Sequence, residues 1–262
     1  MDSCLPIEHI RVPDSQPFQQ VSLVFRFISE ISAPSGQDGQ VCANRGLHLT
    51  IDLDWCHEAV LADTLELLEV YEARATVFCT DRTESLDLLK GNRLVELGVH
   101  PNFRPLLSGE NAQDGASAAR VLDRILSLVP TAKSVRSHSL TSSSDLSTLF
   151  RSRGLTHESN IKLPFEAAPH LAPFYHVSGM LMCPFQWGDH SDMEKGIPIQ
   201  RVSNYLVVNF HPIHIFLNSN SLDQYERTRP YHYSPGNLRN LRTDGTGVRT
   251  HFLDLLEAIS GR

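Results

Sequence analysis

The chain has 262 residues, 41% of them hydrophobic, which is enough to bury one large α/β core or two small ones. Its formal charge of -7, with acids and bases interspersed, supplies no basic stripe for a nucleic-acid backbone and no polybasic membrane patch, so the expected partner is a small or neutral substrate. No run approaches the roughly 20 apolar residues that span a bilayer, the first residues lack a signal-peptide pattern, and five scattered cysteines without C-x-x-C spacing fit a reduced, cytoplasmic setting.

Residues 1–44 hold one predicted strand, 21–28, and a polar loop from Ser35 to Gly39, and read as an N-terminal extension packed on a main domain of residues 45–262. From Leu47 onward short β-rich runs alternate with amphipathic runs, the pattern of a mainly parallel sheet or barrel. A strand ending in Asp52-Leu53-Asp54 is followed by a helix over 57–71, whose Val60, Leu61, Thr64, Leu67, Leu68 and Tyr71 share one face. A strand at 75–79, a short helix at 85–90 and a strand at 94–99 ending in His100 come next. A helix over 116–128 leads to a strand at 133–136 and then to His138. After it come a helix over 144–150 that Gly154 can stop, a strand over 155–161, and another over 177–187 leading to Asp189. The last strand, 205–210, ends in His211-Pro212; a loop-rich stretch over 219–247 separates it from a closing helix over 248–259.

Asp is unfavourable inside strands and costly to bury unpaired, so a hydrophobic run ending in Asp-x-Asp calls for a metal, a cation or a loop position. Polar residues just past the carboxyl ends of parallel strands line reaction sites, which singles out Asp52, Asp54, His100, His138, Asp189 and His211. Imidazole and carboxylate suit a divalent transition metal such as zinc, and Asp54, His100 and His138 supply three ligands with a position left for water. Asp52 then serves as general base and His211 as the acid on the leaving group. Asn102 and Asp189 are candidate substrate contacts, as is Trp55, which like Trp187 is either a sugar-stacking platform or core packing. His214, three residues beyond His211, reaches the same site only if the chain bends after Pro212. The other histidines, His48, His232 and His251 among them, read as structural or surface residues, and the cysteines as small hydrophobes.

Taken together, Leu49-Thr50-Ile51-Asp52-Leu53-Asp54, Ala73-Arg74-Ala75-Thr76-Val77-Phe78, Glu96-Leu97-Gly98-Val99-His100-Pro101 and Phe210-His211-Pro212 resemble the polysaccharide deacetylases of the NodB type. The resemblance covers residues 46–216 and is strongest to the divergent branch associated with surface-polysaccharide and lipopolysaccharide assembly. It implies a distorted (β/α) barrel and metal-dependent removal of N- or O-acetyl groups from sugars. By the same resemblance Asp52 is the base, Asp54 and His100 are ligands, Arg136 positions the base and His211 is the acid. One departure stands out: the family's second ligand histidine, four residues after the first, is Arg104 here, and His138 is the residue available to replace it through space.

The expected function is therefore hydrolysis of an acetyl group from a sugar or glycan intermediate. Two rivals accompany it: a degenerate deacetylase-like protein that binds glycan without turnover, and an amide hydrolase acting on small carbon–nitrogen substrates.

Overall fold

The computed structural model of the chain describes residues 24–33, 46–54, 56–80, 86–108, 117–167, 171–201 and 205–261. Strand β1 (Gly46–Leu53) sets the architecture, because its side chains alternate between Leu47, Leu49, Ile51 and Leu53 on one face and Gly46, His48, Thr50 and Asp52 on the other. All eight residues are buried. The leucines and Ile51 join a core cluster with helix residues such as Leu61, Leu68, Phe252 and Leu255, while the polar face looks into the interior of the curled sheet.

The chain continues through α1 (Glu58–Val70), β2 (Ala75–Cys79), α2 (Leu86–Leu89), β3 (Val95–Val99), α3 (Arg104–Leu107), α4 (Ala118–Leu128), β4 (Ser134–Val135), α5 (Ser144–Ser152) and β5 (His157–Glu158). It then passes through β6 (Phe174–Tyr175), β7 (Leu181–Met182), β8 (Trp187–Gly188), α6 (Asp189–Asp192), β9 (Tyr205–Phe210), α7 (Pro212–Leu217), α8 (Leu222–Thr228), α9 (Pro235–Asn240) and α10 (Val248–Ser260). The strands form one nine-stranded sheet in the order β6-β7-β5-β4-β3-β2-β1-β9-β8, parallel except for the β6–β7 pair, and it curls into a half-barrel. This is the distorted (β/α) barrel that the resemblance implies.

Inside the curl, Phe78, Leu181, Cys183, Phe185, Tyr205 and Val207 form a second apolar cluster that closes on Ile28 and Ile31. Gly98 makes room for it: a Cβ there would lie 2.6 Å from Phe78 Cδ1 and 2.7 Å from Ser134 Oγ. Residues 24–33 seal the amino-terminal end of the strands. Arg26 N donates to Leu47 O at 2.9 Å, Ile28 N donates to Thr76 Oγ1 at 2.9 Å, and His157 Nε2 sits 3.0 Å from Ile31 O.

Three expectations need correction. The strand over 177–187 is two strands, β7 and β8; Val177 is 91% exposed and lies in the turn joining β6 to β7, where Gly179 takes φ +81°. Residues 219–247 carry two short helices, α8 and α9, instead of open loop; each has only six or seven residues, too few to show an apolar period. At the N-terminus only Phe25 pairs, with Leu47, before a 3-10 turn at Ile28–Glu30; residues 21–23 and the Ser35–Gly39 loop lie outside the described residues. Among the described residues no helix is long and apolar enough to cross a membrane.

Candidate active site

Because the strands run parallel, residues following their carboxyl ends gather on one side of the sheet. Asp54 follows β1, His100 follows β3, Arg136 and His138 follow β4, Ser159 follows β5, Asp189 follows β8 and His211 follows β9. Two imidazoles point at one oxygen: His100 Nε2 lies 2.8 Å and His138 Nδ1 2.7 Å from Asp54 Oδ1, with the two rings edge to face at 5.6 Å. Burial alone opposes ionisation of Asp54. The hydrogen bonds from His100 and His138, with the charges of His100 and His211, nevertheless hold its carboxyl well below the usual carboxylate range.

His138 reaches this point through a distorted turn. Ser137 N donates to Asn160 Oδ1 at 2.7 Å and His138 N to Pro101 O at 2.9 Å, and the next two residues, Ser139 and Leu140, adopt φ of 54° and 53°. Consecutive left-handed residues other than glycine are costly and persist only where surrounding contacts enforce them.

Asp52 is held from behind. Arg136, fully buried, donates from Nη1 to Asp52 Oδ1 at 3.1 Å, Thr50 Oγ1 at 2.7 Å and Asn209 Oδ1 at 2.6 Å, and from Nε and Nη2 to Ser159 O and Oγ at 2.9 and 2.7 Å. Its guanidinium lies between the Phe78 and Phe185 rings, 4.7 Å from each centroid. Asn209 Nδ2 donates to the other Asp52 oxygen at 2.9 Å. Thr50, Ser159, Asn160 and Asn209 were not singled out from the sequence. For Asn209 a signal existed: it interrupts an apolar strand two residues before His211, and so shares that residue's face.

The third group centres on His211, whose Nδ1 is 2.7 Å from Asp189 Oδ1 while its backbone N–H donates to Asp189 Oδ2 at 2.6 Å. Burial disfavours the imidazolium, but Asp189, with Asp54 and Asp52 farther off, outweighs it and pushes His211 up to about 10. Its Nε2 faces the other carboxylates, 3.6 Å from Asp54 Oδ2 and 4.0 Å from Asp52 Oδ2. Asp189, expected at the substrate, is 0% exposed, does not line the cavity and lies behind His211. His214 does enter the site. Pro212 starts helix α7, and the helical turn sets the His214 ring 5.6 Å from His211; burial pushes its imidazole down to about 4.

Asn102 Oδ1 accepts from Arg104 N, the first residue of α3, at 3.0 Å, and Asn102 does not line the cavity. Trp187 is a core residue, 4.8 Å from the Phe210 ring with Nε1 donating to Lys195 O at 2.9 Å; Trp55 lies outside the described residues. Burial pushes the Cys56 and Cys79 thiols up to about 12, the opposite of a nucleophile's tuning.

Asp52, Asp54, His100, His138 and His211 open onto a cavity of about 500 Å³, within the roughly 300–1,000 Å³ of small-ligand sites. Asp54, His100 and His138 place one donor atom each within 4.8 Å of the others, and Asp189, His211 and His214 form a second such group. The first set fits a divalent metal better. Its two imidazole nitrogens converge on one carboxylate oxygen at the cavity, and the buried His100 Nδ1 has no hydrogen-bond partner among the described residues, with Asp52 Oδ1 4.0 Å away. In the second set Asp189 is sealed behind His211 and His214 Nδ1 bonds Ser219 Oγ at 3.1 Å.

The model of the WbmS-like polysaccharide deacetylases matches residues 49–229. A crystal structure from Bordetella bronchiseptica, of a protein assigned as a polysaccharide deacetylase involved in O-antigen biosynthesis, shares 35% identity over 88% of this chain and 96% of its own, with a TM-score of 0.80. The peptidoglycan deacetylase PdaC of Bacillus subtilis aligns over 83% of this chain and 92% of its own at 16% identity and a TM-score of 0.39, too distant to bear on function. No curated protein matches. With a family model matching residues 49–229 and a relative 35% identical over 88% of its length, the chain belongs to the polysaccharide deacetylases, in their WbmS-like branch.

Proposed function

We propose that the protein is a metal-dependent deacetylase that removes an acetyl group from a sugar of a surface-polysaccharide intermediate, as O-antigen biosynthesis in the Bordetella relative suggests. The convergence of His100 and His138 on Asp54, beside an Asp52 fixed by Arg136, carries this reading. The chemistry supplied by a divalent cation at Asp54, His100 and His138, zinc by preference for this donor set, is Lewis acidity toward a water and the acetyl carbonyl.

The chain's own groups divide the proton transfers. Asp52, its carboxylate oriented by Arg136 and Asn209, takes a proton from the attacking water. His211, kept protonated by Asp189, donates through Nε2 to the departing amine or alkoxide on the opposite side.

The test joins metal content to turnover. The purified protein should carry near-stoichiometric zinc and release acetate from acetylated glycan, with both lost on chelation. His138→Ala should lower metal occupancy severalfold; unchanged occupancy would remove His138 from the ligand set. A metal-free protein that still binds glycan would favour the non-catalytic binder.

A further inference from the structure

Three basic side chains line the cavity, and their pairing differs. Lys162 Nζ is held by Ser191 Oγ and Asp192 Oδ2, and Arg229 Nη1 donates to Glu226 Oε2 at 3.0 Å. Deeper in, Arg136 is matched by Asp52 and His211 by Asp189. Arg104 alone among these cations has no acid on its guanidinium among the described residues, although the protein as a whole carries a formal charge of -7 and offers many acids.

Its placement is fixed by the fold. Pro101 O receives His138 N–H, Asn102 Oδ1 caps the Arg104 N–H, and Arg104 opens helix α3 with its own carbonyl accepting from Ser108 N at 2.9 Å. The backbone that carries Arg104 is thus tied to the two histidines of the Asp54 group, and its exposed side chain stands at the edge of the same cavity. An unmatched arginine fork at the rim of a glycan-sized cavity is the arrangement that recognises a carboxylate or phosphate oxygen pair.

We infer that Arg104 binds an anionic group of the substrate, a carboxylate on the sugar or a phosphate attached to it, and so selects acidic over neutral acetylated sugars. The composition predicted a small or neutral substrate; the local charge around the cavity rim argues for an acidic one. The inference rests on the deacetylase reading for its occupant, and equilibrium binding tests it apart from turnover.

Dissociation constants for N-acetylglucosamine, N-acetylglucosamine 1-phosphate and N-acetylglucosaminuronic acid are measured by calorimetry on the whole protein, Arg104→Ala and Arg104→Lys. At least one anionic probe should bind about tenfold or more tighter than the neutral sugar, and Arg104→Ala should erase that preference while leaving neutral-sugar binding within about twofold. Arg104→Lys should keep part of it. The probe that loses affinity identifies the carboxylate or the phosphate as the group held. Equal binding of all three sugars, or a preference that survives Arg104→Ala, overturns the inference. An Arg104-dependent preference in a protein that releases no acetate leaves it standing and removes the deacetylase reading instead.

Discussion

Replacing Arg136 with Met keeps an apolar stem between Phe78 and Phe185 but deletes five hydrogen bonds at once, to Asp52, Thr50, Asn209 and Ser159. The serious loss is at Asp52, which is 4% exposed and would keep the Asn209 amide at 2.9 Å, with the His211 ring no nearer than 4.0 Å. Breaking a buried ion pair from one side leaves an uncompensated charge and costs about 3–5 kcal/mol. For a chain of this length that corresponds to a fall in Tm of roughly 6–20 °C. Removing the charge as well, in Arg136→Met/Asp52→Asn, should recover at least about 2 kcal/mol relative to the summed single costs, because the two residues share one network. Urea unfolding followed by near-ultraviolet circular dichroism supplies all four corners of the cycle. A cost for Arg136→Met below about 1 kcal/mol, or a coupling below about 0.5 kcal/mol, would show that the Arg136–Asp52 contact contributes little to the fold.

Two further outcomes follow from the titrating groups. Asp189→Asn removes the principal charge holding His211 protonated, so the alkaline limb of kcat/KM should move at least about one pH unit lower and kcat should fall; an unshifted limb would detach Asp189 from the acid role. His48 behaves oppositely. It is 1% exposed, and burial pushes its imidazole down to about 4, so between pH 6.5 and 4 the unfolded chain binds a proton that the folded chain refuses. Stability supplied by this residue is therefore present above pH 6.5 and lost as pH falls toward 4, by up to about 3 kcal/mol. His48→Gln should flatten that acid slope in urea midpoints measured from pH 4 to 7, and an unchanged slope would mean that His48 is protonated in the fold.

Removing metal should act on the same charges. Asp54 contributes to the charges that push His211 up to about 10, so zinc added to the chelated protein should lower that value. Histidine NMR titration with and without zinc reads the difference, and an identical His211 curve would argue against a cation at Asp54.

Local sequence alone determined the strands whose pattern is strong and the residues at their ends. The runs at 75–79 and 205–210 are strands to the residue, since every position in them is buried and their apolar content admits little else. A parallel sheet then puts Asp54, His100 and His211 on the same edge, because each follows a carboxyl end of one of its strands. What the chain order could not give is direction and depth within that cluster. The approach of His138 to Asp54 goes with a bond from Ser137 N to Asn160, two residues past β5, and with left-handed backbone at Ser139 and Leu140 just after it. That Asp189 lies behind His211 is decided by packing between residues 22 apart in the chain, whereas Asn102 is taken up by a local bond to the backbone two residues on. His214 joined the site because Pro212 began a helix where an extended chain would have turned it away. Residue type and strand position decide which groups reach the site, whereas their hydrogen bonds come from partners as far as 157 residues away in the chain, as Asn209 is from Asp52, and only the folded sheet brings those together.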